Sequence, residues 1–218
     1  YRAVRQGILD YERRQQYRGP EHFITLPNDK AARDDAIDEV LNEYNDSDDL
    51  LSAVVLEANP RKVIAVRQDG EPFEISGEGL RPATSGLSEK AGPNIKIRRG
   101  AVIRVIQTGS SGWRITQLPE VESAFVAMDP RNGHIRALVG GFDFQKNKFN
   151  HVTQAWRQPG SSFKPFVYSA ALEKGVTPTT VVNDAPLFYS AIETGGKPWE
   201  PKNYDGQFEG PMSIRRAL

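Results

Sequence analysis

The stretch Arg157-Gln158-Pro159-Gly160-Ser161-Ser162-Phe163-Lys164-Pro165-Phe166-Val167-Tyr168 decides how this chain is read. Pro159-Gly160 closes a loop, and Phe163, Phe166, Val167, Ala170 and Ala171 then recur at helical spacing as far as a Lys174-Gly175 stop. The spacing predicts a helix that opens at the serines, with Ser161 and Lys164 on one face of its first turn. A first turn ordinarily carries acidic residues, because a helix N-terminus holds about half a positive charge. Lys164 breaks that rule, and broken local rules are expected where function sits. The dipole and partial burial both disfavour an ammonium there, which suits Lys164 to take the Ser161 hydroxyl proton as a neutral amine. Ser161 is the candidate nucleophile, and its own N–H a candidate oxyanion donor. The plainer alternative is an N-cap serine followed by a solvated lysine.

Downstream, Val181-Val182-Asn183-Asp184-Ala185-Pro186 reads as a strand and turn, and Trp199, Asn203 and Tyr204 are candidates to line the approach to the serine. Upstream, 123–129 and 134–139 flank Pro130-Arg131-Asn132-Gly133, a hairpin whose Asn-Gly supplies positive φ. Before Leu118-Pro119, which reads as a boundary, short β runs alternate with turns over 52–58, 62–67, 73–76, 95–106 with an interruption near Arg99-Gly100, and 113–117. Asp69-Gly70 is one of the turns, and 77–94 reads as a loop rich in Gly, Pro and Ser. Five short strands with a long middle loop fit a small Greek-key barrel of the OB type. Lys96, Arg98, Arg99 and Arg104 offer a basic patch with Trp113 as a stacking platform. The reading adopted is simpler: Trp113 is core and the arginines face outward.

At the N-terminal side, 1–17 carries Val4, Ile8, Leu9 and Tyr11 among arginines, in the pattern of a helix ending before Arg18-Gly19-Pro20. A second helix starts at a cap on Asn28 or Asp29 and places Ile37, Val40, Leu41 and Tyr44 on one face. Nine carboxylates lie between Asp29 and Asp49, but without the alternating ligands, central glycine and terminal glutamate of a calcium loop. They read as the solvated side of that helix. His22, His134 and His151 have no metal-ligand spacing and read as structural, so no metal and no cofactor is expected.

The 218 residues are 38% hydrophobic and 26% charged, with 28 basic and 28 acidic side chains. That balance argues against a general nucleic-acid or membrane-surface binder. Cysteine is absent, which excludes a disulfide framework and fits either redox compartment. With no initiating Met, no signal peptide and no apolar run of 18 residues, the chain reads as an excerpt whose membrane anchor lies outside it.

The stretch around Ser161 closely resembles the active-site serine motif of penicillin-binding proteins, of which Ser-x-x-Lys is the first of three signature motifs. Trp199-Glu200-Pro201-Lys202-Asn203-Tyr204-Asp205-Gly206 is similar to the segment after the serine helix in the class A members, and the run from Met128 to Gly141 to the first two strands of their transpeptidase domain. The run from Val4 to Pro20 resembles the tail of a class A glycosyltransferase domain. A barrel between the two resembles the 1A subgroup of the Gram-negative enzymes. The resemblance implies an α+β multidomain chain: 1–24 a linker from an upstream glycosyltransferase, 25–119 an acidic helix plus an OB-like inserted domain, and 120–218 the first part of a β-lactamase-like α/β serine transpeptidase domain.

It further implies peptidoglycan synthesis on the periplasmic side of the bacterial inner membrane, by a bifunctional enzyme. Ser161 would be acylated by stem peptides or by β-lactams, with Lys164 as the base. Glycan strands and an outer-membrane lipoprotein docked on the barrel are the other implied partners. The remaining signature motifs, Ser-x-Asn and Lys-Thr-Gly, do not occur in the 218 residues, so the excerpt alone is expected to be inactive. A D,D-carboxypeptidase or serine β-lactamase, which use the same tetrad with water as acceptor, and a non-catalytic periplasmic docking module stay open as alternatives.

Overall fold

The computed structural model describes residues 1–68, 70–109 and 112–217. They form two compact units, Tyr1–Trp156 and Arg157–Leu218. In the first, α1 (Arg2–Glu12) leads through the two-residue strand β1 (His22–Phe23) to α2 (Lys30–Glu43). Asp29 caps α2 by accepting the Ala32 N–H at 3.0 Å. Five longer strands follow, β2 (Leu51–Asn59), β3 (Lys62–Val66), β4 (Pro72–Ser76), β5 (Ala101–Thr108) and β6 (Gly112–Thr116). All pair antiparallel in the order β6-β5-β2-β3-β4, with β1 added to β5. The chain returns from β4 to lay β5 beside β2, a Greek-key step. Phe73 of β4 and Trp113 of β6 meet with ring centroids 4.3 Å apart and pack on the barrel core. This is the expected OB-like barrel.

β2 is apolar without alternation because both of its faces are covered. Ala53 and Val55 point into the barrel with Val63, Ile75 and Ile103. Val54, on the other face, meets Ile37, Val40 and Leu41 of α2. That contact uses the apolar stripe of α2 and leaves Asp34, Asp35, Asp38 and Glu39 in solvent.

Several local expectations change. Residues 77–94 are not simply a loop: a 3-10 helix (Gly77–Ala83) runs into α3 (Thr84–Leu87), and Leu80, Ala83 and Leu87 join the barrel core. Gly79 serves close approach there, since a Cβ would stand 2.2 Å from the Trp113 carbonyl oxygen. The strand expected from residue 95 begins only at Ala101, because Gly100 turns the chain at φ +83° with its ideal Cβ position 2.0 Å from the Ile24 carbonyl oxygen. Arg104, expected to face outward, is 1% exposed. Its Nε and one terminal nitrogen donate to the two Glu21 carboxylate oxygens at 2.5 and 2.9 Å, and the other donates to the Asn45 carbonyl at 2.7 Å. A bidentate carboxylate and a carbonyl are what let a guanidinium stay out of water. Asp69, half of the expected Asp69-Gly70 turn, lies outside the described residues.

Residues 1–24, read as a linker, also supply packing. Tyr17 sits in the barrel core, and Ile8 and Leu9 pack with Leu50 and Phe142. After the barrel come β7 (Phe125–Met128) and β8 (Ile135–Val139), an antiparallel hairpin. In its turn the positive φ falls on Gly133 alone, at +72°. Asn132 contributes through its side chain, which accepts the His134 N–H at 3.0 Å. Asp129, 7% exposed, accepts from both Arg131 and Arg136, and these hold its carboxyl down to about 2.

The second unit contains α4 (Lys164–Glu173), β9 (Val181–Asp184), α5 (Ala191–Thr194), β10 (Gly210–Ser213) and α6 (Ile214–Ala217), with β9 and β10 antiparallel. None of its described residues is buried.

Candidate active site

Gly160, at φ +54°, starts a 3-10 turn over Gly160–Phe163 that runs directly into α4. The α-helix expected at the serines therefore begins three residues later than Ser161. Pro165 supplies a reason. In an α-helix its N–H would donate to the Ser161 carbonyl, and proline has none. The Lys164 N–H takes that carbonyl instead, closing an i to i+3 bond. Side chains three apart eclipse in a 3-10 turn, so Ser161 and Lys164 lie on the same side of it.

Both residues are exposed. This corrects the partial burial expected of Lys164, so burial does not help to disfavour its ammonium. Ser162 differs from its neighbour in having its N–H committed to the Pro159 carbonyl at 3.1 Å. The Phe163 and Phe166 rings pack at 5.7 Å beside the turn. α4 ends where its sequence predicts, with Gly175 at φ +85° and the Val176 N–H closing back on the Ala171 carbonyl at 3.0 Å.

The residues read as lining the approach have local roles. Asn203 donates its side-chain amide to both Asp184 carboxylate oxygens and to the Gln207 carbonyl, each at 2.9 Å. The Glu209 N–H also bonds Asp184, and this bond, with the Asn203 amide, holds the Asp184 carboxyl below its ordinary range. Trp199 stacks on Tyr189 at 5.4 Å and exchanges two backbone bonds with it, each 2.9 Å. Tyr204 is fully exposed. The structure thus joins Asn203 to Asp184 and Trp199 to Tyr189. It joins none of the three to Ser161 or Lys164 by a hydrogen bond or ring contact. Asp184 and Tyr189 were missed because their partners stand 19 and 10 residues away. Upstream, His151 Nδ1 lies 3.0 Å from the Gly140 carbonyl oxygen, and His22 stacks on Tyr44.

The family model of the penicillin-binding protein OB-like domain matches residues 17–121, and that of the penicillin binding protein transpeptidase domain matches residues 123–218. The chain belongs to the penicillin-binding proteins. Penicillin-binding protein 1A of Neisseria lactamica is 41% identical over 218 residues, 99% of this chain and 27% of that protein. The protein of the same name from Escherichia coli is 40% identical over 222 residues, 99% of this chain and 26% of that protein. The crystal structure of penicillin-binding protein 1A from Haemophilus influenzae is similar with a TM-score of 0.69 and 34% identity, over 100% of this chain and 31% of that one. The chain spans about a quarter of the length of the curated relatives it matches. In this penicillin-binding protein the two family domains meet at residue 122, whereas the compact units divide after Trp156. The first strand pair of the transpeptidase domain accordingly falls in the same compact unit as the barrel.

Proposed function

We propose that this chain carries the acyl-forming serine of a peptidoglycan D,D-transpeptidase. The observation that carries this is the eclipsed Ser161–Lys164 pair on the turn that opens α4, within a segment matched by the transpeptidase family model. Ser161 Oγ attacks the carbonyl carbon between two D-alanines of a stem peptide, and its proton passes to the Lys164 amine. The Ser161 N–H, at the positive end of α4, donates to the oxyanion. The C–N bond then breaks, the departing D-alanine nitrogen takes the proton back, and an ester on Ser161 remains. An amine of a neighbouring stem attacks that ester, forms the cross-link and releases Ser161. A β-lactam follows the first half of this path, its ring nitrogen staying attached to the acyl group.

On this reading the protein works in the periplasm at the inner membrane, as the transpeptidase half of a bifunctional enzyme with an upstream glycosyltransferase. No helix among the described residues is long and apolar enough to cross a membrane. The barrel is the docking place of an outer-membrane lipoprotein, a reading that rests on its position ahead of the transpeptidase domain. The 218 residues alone acylate slowly, because the Ser-x-Asn and Lys-Thr-Gly elements that complete the proton relay and oxyanion site are not among them.

The test is intact-mass spectrometry of the full-length protein over time with a labelled penicillin, alongside a cross-linking assay with donor and acceptor stem peptides. A long-lived adduct with a cross-linked product supports the transpeptidase. Rapid turnover of the adduct points to a β-lactamase, and its absence removes the proposal.

A further inference from the structure

Arg5 is buried at 5% exposure although it lies on α1 near the chain's first residue. One of its terminal nitrogens donates to the Ser47 carbonyl at 2.9 Å and to Asp49 at 2.7 Å. The other donates to the Phe142 carbonyl at 3.3 Å, and the guanidinium lies over the Phe142 ring, 4.0 Å from its centroid. The loop before β2 and the chain leaving β8 are therefore gripped by one side chain. Two further bonds join the same segments without Arg5: the Ser47 hydroxyl donates to Asp143 at 2.5 Å, and Lys146 Nζ to the Asn45 carbonyl at 3.0 Å. Tyr1 reinforces both sides, its hydroxyl within 2.7 Å of Asp48 and 3.0 Å of the Phe142 carbonyl oxygen.

We propose that Arg5 is the latch of a three-way junction that makes the barrel and the first strand pair of the transpeptidase domain respond as one body. Only a side chain with five donors in a planar fork can hold two separate carbonyls, a carboxylate and a ring face together. A displacement of the barrel is then passed through 45–49 to 142–146, in the chain that continues to Ser161. Such coupling is reciprocal, because it is a free energy shared by the two segments. Its effect on the reaction rests on the Ser161 reading given above; the latch itself does not.

The experiment is hydrogen exchange on the full-length protein carrying Arg5→Met. Asp48 and Asp49 are more than half exposed and water will solvate them once the guanidinium is gone, so the variant is expected to fold. Amides of 45–50 and of 142–147 should both exchange roughly tenfold faster or more, while Val54 and Ile103 in the barrel core stay within about threefold. Loosening of one segment only, of neither, or of core and junction alike overturns the latch. Ser47→Ala, which leaves the buried charge in place, should show the same paired loosening to a smaller degree, and decides the matter if Arg5→Met does not fold. Penicillin acylation should slow in both variants, and Arg5→Lys should not restore it. Unchanged acylation with paired loosening overturns the coupling to the reaction. An adduct away from Ser161 counts against the nucleophile assignment and leaves the exchange result standing.

Discussion

In the barrel, Val54, Val55, Val63, Ile75, Val105 and Ile115 are wholly enclosed, whereas in Arg157–Leu218 no described residue is buried and Phe166, Leu172 and Phe188 are more than half exposed. Apolar area removed from water contributes about 25 cal/mol per Å², so the first unit has a large stabilising term of its own that the second lacks. The second unit is shaped by local devices instead: the Gly160 turn, the missing N–H of Pro165, the Gly175 stop, the capping box of Ser190 and Glu193, and the Asn203–Asp184 bonds. The unit that holds Ser161 and Lys164 is thus the one least able to stabilise itself. What fixes Ser161 against Lys164 is backbone geometry at two positions, with little packing around them.

The contrast can be broken most sharply at Glu21. Arg104 is 1% exposed, and Glu21→Ala would leave that charge without its carboxylate, at a cost of about 3–5 kcal/mol. Urea unfolding of the barrel unit measures it, and a loss under about 1 kcal/mol would show that the buried guanidinium does not depend on this pair.

Next in size is Lys164→Arg, which keeps the charge but cannot give up a proton near neutral pH. Acylation should fall by about a hundredfold, equivalent to roughly 2.7 kcal/mol, with the barrel transition unmoved. A variant that acylates at the parental rate removes Lys164 as the base.

A pH-gated effect belongs to the hairpin. The Asp129 carboxyl titrates at about 2 when folded against an ordinary 3.8, first because of Arg131 and then Arg136. Its stabilising contribution is therefore complete above about pH 4 and is lost as the pH falls toward 2. Exchange rates in β7 and β8 should rise through that window and should show no such step in Asp129→Asn. The smallest effect is expected in α4, where Val167 is 54% exposed and Val167→Ala should change stability of the chain by no more than about 0.5 kcal/mol. A loss comparable to a core truncation would mean that this helix face is covered in solution.

The same division governs what could be read from the sequence. Strands β2, β3 and β6, the cap at Asp29, the stop at Gly175 and the Ser161–Lys164 spacing are set by neighbours a few residues away, and they stand where patterning puts them. The helical turns over Gly77–Leu87 were hidden because Gly, Pro and Ser read as loop, while Leu80, Ala83 and Leu87 are placed by a distant core. Arg104 read as outward because its partner Glu21 is 83 residues away. The Arg5 junction spans 137 residues to Phe142 and left no local signal at all. By contrast, the 3-10 start of the serine turn was legible in principle, since Pro165 four residues after Ser161 removes the donor that an α-helix there would need.

The most direct measurement is peptide mapping by mass spectrometry of the full-length protein after exposure to a labelled penicillin. The label should sit on Ser161 alone, since Ser161 and not Ser162 stands three residues before Lys164 on the 3-10 turn, and Ser161→Ala should abolish it. A label on Ser162 or any other residue, or one that persists in Ser161→Ala, would contradict the assignment of Ser161 as the nucleophile.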